Sequence, residues 1–524
     1  MKRVAGAAAA LLVLALPKAA RATGFTDYGQ DHEPHEATTV KLDGYLRLRG
    51  ELLDNLDLDR GLTPSGKPLF PVSLSDPNAQ VLSYADMRFR TDVAMYAPGS
   101  SVAVKARFDI LDDYPLGGSA AGVPSVSTTQ LSGPGAIKVK RIWGEAVTPL
   151  GLLAAGRMGN QWGLGMLANG GDCDDCDSGD AADRIAFISP IAGHIFAAAY
   201  DFTAIGPLAP RASGDQPVVV DPSADVHTVT FAGMNFRDDF ARARRRQAGK
   251  STIEYGAYVS HRWQNNDVPV TYLPVASPVF IDAGQVMQRG YHATAIDGWA
   301  RITHPMFRIE AEWAFLTAQV DQPSVIPGVL YHQPVTSTSY GGALESYIGP
   351  PEDRGGGGLD VGYASGDPSP GFGAFPQVGA PLAKPGDLDG AKANPPVKNS
   401  VDNFLFHPDY RIDRILFREI IGTVTGAMYV RPHLKWDLVR SAPTTITASV
   451  AGIASWAAYA ESTPGGKSPL GIEIDPTLSY WSRDGFGAAL EHAVLFPLAG
   501  LDNPVAHLNA KPAQLIRLRL MYRF

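Results

Sequence analysis

The residues best placed to do chemistry crowd into one short run. Asp172-Cys173-Asp174-Asp175-Cys176-Asp177, with Asp180 and Asp183 just beyond, holds the only two cysteines of the chain among its carboxylates. Redox exchange at such a pair needs a thioredoxin-like context, and a zinc site needs more soft ligands. In an oxidising compartment the expected state is therefore a Cys173 to Cys176 disulfide. Crowded carboxylates supply hard oxygen ligands, so Asp172, Asp174, Asp175 and Asp177 make a candidate surface Ca²⁺ site, although no EF-hand register is present. No other metal and no organic cofactor is expected.

Other candidates are weaker. His32 and His35, with Asp31, Glu33 and Glu36, read as a disordered polar leader before they read as metal ligands. Arg242, Arg244, Arg245 and Arg246 read as a solvated turn near headgroups. No nucleophile motif, P-loop or dinucleotide fingerprint is present, so the chain is expected not to be an enzyme.

The informative charges are those that recur every second residue. Between Val40 and Leu53, Lys41, Asp43, Arg47, Arg49 and Glu51 share one face while Leu42, Leu46, Leu48 and Leu52 share the other. A period of two is a strand. The same habit sets Asp86, Arg88, Arg90 and Asp92 against Met87, Phe89, Val93 and Met95, and then Lys105, Arg107 and Asp109 against Val104, Ala106, Phe108 and Ile110. Arg308, Glu310 and Glu312 oppose Ile309, Trp313 and Phe315. Later runs carry Glu473 and Asp475, and the last carries Arg517, Arg519 and Arg523.

Counting such runs along the chain gives about sixteen strands. Short links such as 98–100, 149–151 and 190–193 alternate with long ones such as 54–82, 112–136 and 160–183. The longest link spans 320–416 and is rich in glycine and proline, which suits an extracellular or constriction loop. An even strand number, alternating link lengths and charges on one face predict a transmembrane antiparallel β-barrel of the all-β class. A soluble β-sandwich is the remaining fold alternative.

Both ends of the chain agree with that reading. Lys2 and Arg3 precede an apolar run to Leu16 and an Ala20-Arg21-Ala22 site, which predicts a signal peptide over 1–22. A polar leader over 23–37 and a barrel over 38–524 follow. The formal charge of the 524-residue chain is −8, and loss of Lys2, Arg3, Lys18 and Arg21 makes it more acidic, so no nucleic-acid partner is expected. At the other end Ile516, Leu518, Leu520, Tyr522 and Phe524 alternate with Arg517, Arg519, Met521 and Arg523 up to the final position. This resembles the terminal signature that the outer-membrane barrel-assembly machinery recognises.

The run from Gly44 to Glu51, the segment from Gly156 to Met166 and the acidic cysteine loop resemble an uncharacterised family of predicted outer-membrane β-barrel proteins of Gram-negative bacteria. The likeness covers nearly the whole chain after the signal and extends more loosely to porins. It implies location and barrel architecture and brings no activity or site residue.

In a closed barrel the last strand neighbours the first. Arg517, Arg519 and Arg523 would then join Lys41, Arg47, Arg49, Arg88, Arg90, Lys105 and Arg107 as one basic wall, opposed by an acidic side carrying Glu473, Asp475 and Glu491. Opposed walls make a transverse field across a pore. The alternative is that these charges pair and only fill the lumen. The expected function is a porin-like channel for passive diffusion of small hydrophilic solutes or ions. Its expected surroundings are outer-membrane lipid and lipopolysaccharide, and an oligomer is compatible. One alternative is a non-conducting surface barrel whose outer loops bind a partner or stabilise the envelope. Another is a surface barrel enzyme acting on lipids.

Overall fold

The computed structural model describes Phe25, 28–29, 32, 36–73, 80–99, 101–116, 137–203, 225–267, 287–324, 330–331, 333–350, 353–374, 381–441 and 443–524. The expected signal peptide lies outside the described residues.

The first nine strands are β1 (Thr39–Asp54), β2 (Val81–Tyr96), β3 (Val102–Pro115), β4 (Lys138–Thr148), β5 (Gly151–Gly159), β6 (Ala181–Ile191), β7 (His194–Thr203), β8 (Val226–Asn235) and β9 (Thr252–Asp267). The next five are β10 (Met287–Thr303), β11 (Phe307–Val320), β12 (Val335–Ile348), β13 (Gly355–Ala364) and β14 (Ala427–Ser441). β15 (Thr444–Ala457), β16 (Pro469–Ser482), β17 (Phe486–Pro497) and β18 (Ala513–Arg523) complete the set. Each pairs antiparallel with its sequence neighbours, and β18 pairs with β1, so the 18-stranded sheet closes with no free edge.

Eighteen strands replace the expected sixteen because the supposed loop 320–416 contains β12 and β13. The first is rich in serine and threonine, and the second opens on four glycines, so neither shows the apolar alternation by which the others are recognised. The true long link is 365–426. The chain at the end of this link forms a π-helical turn, Leu416–Ile421, and only β14 beyond it is extended.

Links after odd-numbered strands are long and those after even-numbered strands are short. One short-side link is longer and folds into a helix, α1 (Asp239–Gln247), capped where Asp238 accepts the Ala241 amide. Along every strand the faces alternate. Leu42, Phe231, Trp313, Leu434 and Leu518 are exposed outward, whereas Arg47, Arg88, Asp86 and Arg517 are fully buried inside. No helix among the described residues is long and apolar enough to cross a membrane.

The seam between β1 and β18 depends on Gly44. A Cβ there would lie 2.3 Å from the Arg90 carbonyl and 2.7 Å from the Phe524 ring. Its absence lets the Phe524 amide donate to the Gly44 carbonyl at 3.2 Å while the Phe524 ring stacks on Phe89.

Candidate functional site

Closing the sheet puts the arginines of β18, β1 and β2 side by side inside the barrel. Arg47 lies opposite Arg88 and Arg49 opposite Arg519 in the strand register, placements that like charges resist unless anions intervene. Part of the compensation is cross-strand. Arg49 bonds Asp86 at 2.9 Å, Arg90 bonds Asp109 at 2.7 Å, Arg107 bonds Asp92 at 2.6 Å and Arg517 bonds Glu51 at 2.6 Å. Nearer the short-link end, Lys105 meets Glu145 at 3.1 Å and Lys41 lies over the Tyr96 ring at 5.3 Å.

The rest of the compensation comes from the acidic cysteine loop, which folds into the lumen. Asp175 faces Arg49 at 3.1 Å, Arg411 at 3.2 Å, Arg517 at 3.4 Å, Arg519 at 3.6 Å and also Arg418. Asp177 faces Arg47 at 2.9 Å and Arg49 at 3.0 Å; Asp172 pairs with Arg107 and Arg141, and Asp174 with Arg523. The loop's backbone carbonyls take more of the cations: Cys176 accepts from Arg88 at 2.6 Å and Gly171 from Arg90 at 2.8 Å. Cys173 and Cys176 are joined by a disulfide with Cα atoms 5.1 Å apart, which ties the tip of the loop.

The four aspartates of the candidate Ca²⁺ site are all engaged by these contacts. Asp172, Asp174, Asp175 and Asp177 point at guanidinium groups within the barrel, and among the described residues no three acidic, histidine or cysteine side chains are grouped to hold a metal ion. Burial alone would raise the carboxyls of Asp172, Asp175 and Asp177, but the arginines around them hold all three well below the usual carboxylate range.

The far side of the same loop is held by the opposite wall. Glu312 accepts backbone amides of Gly165 at 3.1 Å and Leu167 at 3.3 Å. β11 lies about halfway round the ring from the arginine wall, so loop 160–180 bridges the lumen from Glu312 to Arg49. Beside Glu312, Glu310 accepts from the Trp299 indole at 2.8 Å and Arg301 forks onto Glu254 at 2.9 Å. Arg308 meets Glu310 at 3.4 Å.

Glu473, Asp475 and Glu491 do not form an opposed acidic wall. They sit on β16 and β17, of which β17 pairs with β18, because strand order follows chain order and late strands lie near the first ones. Glu491 bonds Arg519 directly at 2.9 Å, and Asp475 lies 3.6 Å from Arg414. Glu473 accepts the amides of Arg414 and Ile415 at 2.8 Å and of Leu416 at 3.0 Å, fixing the π-helical turn inside the barrel.

Loop 365–426 is thus an infolded element. Phe404, Phe406, Leu416, Phe417 and Ile420 are buried with Leu53, Leu56, Leu58 and Leu515 in one apolar core at the long-link end. Of the described leader residues, Phe25 and Tyr28 are buried. The Tyr28 hydroxyl donates to the Gly159 carbonyl at 3.1 Å, the Gly29 amide donates to Glu145 at 3.0 Å, and His32 meets the same carboxylate at 3.0 Å. Ile516, Leu518, Leu520, Tyr522 and Phe524 lie on the outward face of the β18 end of the chain.

No family model matches the chain, and no curated protein matches it. Among solved structures it is similar to the outer membrane protein opdK from Pseudomonas aeruginosa. That match has 12% identity over 93% of this chain and 98% of the other, with a TM-score of 0.44. A BenF-like porin from Pseudomonas fluorescens is similar at 8% identity over 94% and 100% of the two chains, with a TM-score of 0.45. OmpT, an outer membrane protein of Vibrio cholerae, is similar at 9% identity over 94% and 98%, with a TM-score of 0.34.

Several lumenal charges were missed in the sequence because their strands are short or weakly alternating. Arg184 on β6 lies opposite Asp201 on β7 and bonds it at 2.6 Å. Glu345 and Asp360 lie on the unrecognised β12 and β13. With Arg308, Arg431 and His433 they line a cavity of about 380 Å³ at the short-link end. A sequence signal existed for Asp201, which stands between Tyr200 and Phe202.

Proposed function

We propose that the chain is an integral outer-membrane channel for passive diffusion of small hydrophilic solutes or ions, narrowed by loops folded into its lumen. The observation that carries this reading is the combination of a closed 18-stranded barrel with apolar side chains outward and a dense array of ionisable side chains inward. An apolar outer surface on a closed sheet suits lipid, because closure leaves no backbone group unpaired in hydrocarbon. Alternating short and long links support an orientation with the short links on the periplasmic side. The signal peptide, recognition of the β18 end by the assembly machinery and contact with lipopolysaccharide belong to the same reading. No chemistry on the solute is required of any residue.

A second reading is favoured by one observation. Arg47, Arg88 and Arg517 are fully buried, so the arginine side of the lumen is sealed by the loop that covers it. On that reading the barrel does not conduct, and its outer loops bind a partner or stabilise the envelope. Planar-bilayer recording of purified, detergent-folded protein decides between them. Discrete conductance steps support the channel. Silence from verified folded barrels rejects it and leaves the sealed barrel.

A further inference from the structure

We infer that the segment before β1 is an internal plug: Phe25 and Tyr28 seat it in an apolar groove on the inner wall of β5 to β7, and the channel widens when it withdraws. The groove is set by composition. Where the inward positions of β1 to β3 carry arginine, those of β5 to β7 carry Leu152, Ala154, Met158, Ala186, Ala197 and Ala199, all buried. Small apolar side chains in a polar lumen leave a recess that is costly to hydrate and favourable for an apolar ring to cover. Phe25 and Tyr28 are buried in one cluster with these residues, their rings edge to face with centroids 6.4 Å apart. The Arg184 guanidinium lies 5.3 Å from the centroid of the Phe25 ring, and Tyr28 also meets the Trp143 ring edge to face.

The path of the segment follows from its polar contacts. β1 begins at Thr39 at the short-link end, because the link after β1 is long. Going back from there, His32 meets the buried Glu145 carboxylate at 3.0 Å and the Tyr96 ring at 5.7 Å. The Gly29 amide donates to the same carboxylate at 3.0 Å, and the Tyr28 hydroxyl reaches the carbonyl of Gly159, the last residue of β5. Gly159 is on the long-link side, so the segment enters at the short-link mouth and climbs the wall. Its hold is two rings, one hydroxyl and a carboxylate that Lys105 and Trp143 also share. Among the described residues none before Thr39 joins the sheet, and the ladders of β1 with β2 and β18 lie wholly within β1. The segment can therefore leave without breaking a strand pair.

The inference rests on the channel reading, and its test separates the two. The detergent-folded full chain is compared in planar bilayers with a chain lacking 24–36, in which every strand is intact. Circular dichroism confirms that both are folded. The shortened chain should conduct severalfold more. A synthetic peptide of residues 24–36, added on the short-link side, should lower that conductance again, whereas the same peptide with Phe25→Ala and Tyr28→Ala should not. Calorimetric titration of the shortened barrel should show saturable binding of the peptide, weakened at least about tenfold by the double substitution because two buried rings are lost. Equal, non-zero conductance of the two chains, or no saturable peptide binding, overturns the plug. Channel steps accompanying either result leave the channel reading in place. Peptide binding by barrels that are silent in both forms would keep the groove as the seat of this segment and reject the channel.

Discussion

Asp175 is the residue on which the lumenal network turns, because five arginines converge on it. Asp175→Asn would leave those buried cations short of an anion. Breaking one side of a buried ion pair costs about 3–5 kcal/mol. We expect a lower urea midpoint for the variant, and in bilayers a shift of reversal potential towards anion preference. An unchanged midpoint would show that the loop is not held this way. The pH dependence has a fixed sign. Carboxyls held below their ordinary value contribute stability above the ordinary carboxylate range and lose it as pH falls through the lowered value. Docking of loop 160–180 should therefore persist from pH 7 to about 4, near the ordinary carboxylate value, read as constant conductance across that interval.

Lys392 in loop 365–426 behaves in the opposite way. Burial pulls its ammonium down to about 8, although it donates to the Ser369 carbonyl at 2.7 Å and also to that of Gly371. Between that value and the ordinary one near about 10.4, the unfolded chain holds a proton that the folded chain has released. Stability should therefore rise as pH climbs through this window. Lys392→Met should flatten the rise, measured as urea midpoints at pH 7.5 and 9.5 for both proteins; equal slopes would refute the assignment.

At the scale of elements, the bridge formed by loop 160–180 divides the lumen, with Glu312 at one foot and the arginine wall at the other. Replacing 164–178 with a short Gly-Ser link should raise single-channel conductance severalfold, and an unchanged value would place the constriction elsewhere. The apolar core under loop 365–426 has its own expected cost. Phe404→Ala removes a fully buried ring and should destabilise by about 3–5 kcal/mol. What the sequence made legible follows from the same elements. Strands with apolar residues on alternate positions, such as β1, β2 and β18, were legible in the sequence. β12 and β13 were not, because glycine and serine carry no facing preference. The infolding of loop 160–180 was invisible for a different reason. Its aspartates read as a surface cluster until the surplus cations of β18, β1 and β2 are placed beneath them, and that placement is a property of closure rather than of any local pattern.

At the scale of the whole molecule, the outward face makes a separate claim from the lumen. Trp313 is 51% exposed on β11, where the proposed location puts it against hydrocarbon. Trp313→Arg should destabilise the barrel in lipid by roughly 2–4 kcal/mol if it lies near the midplane, and much less nearer an interface. A solvent-exposed barrel would show no such penalty in the same unfolding assay.

The β1–β18 seam bears on how the fold forms. Tyr45 pairs with Arg523 and Leu46 with Tyr522, so the contacts that finish the cylinder join residues separated by almost the entire chain. Every other strand pair joins consecutive segments. The entropy of bringing two distant ends together is met only once, at this junction, and the reward for meeting it arrives only when the last residues are present. A ring of hairpins can zip up progressively from either direction, yet it remains an open sheet with two unsatisfied borders until Phe524 reaches Gly44. The slow step in maturation should therefore be this single ring closure, and damage confined to the final few residues should stall molecules that are otherwise almost complete.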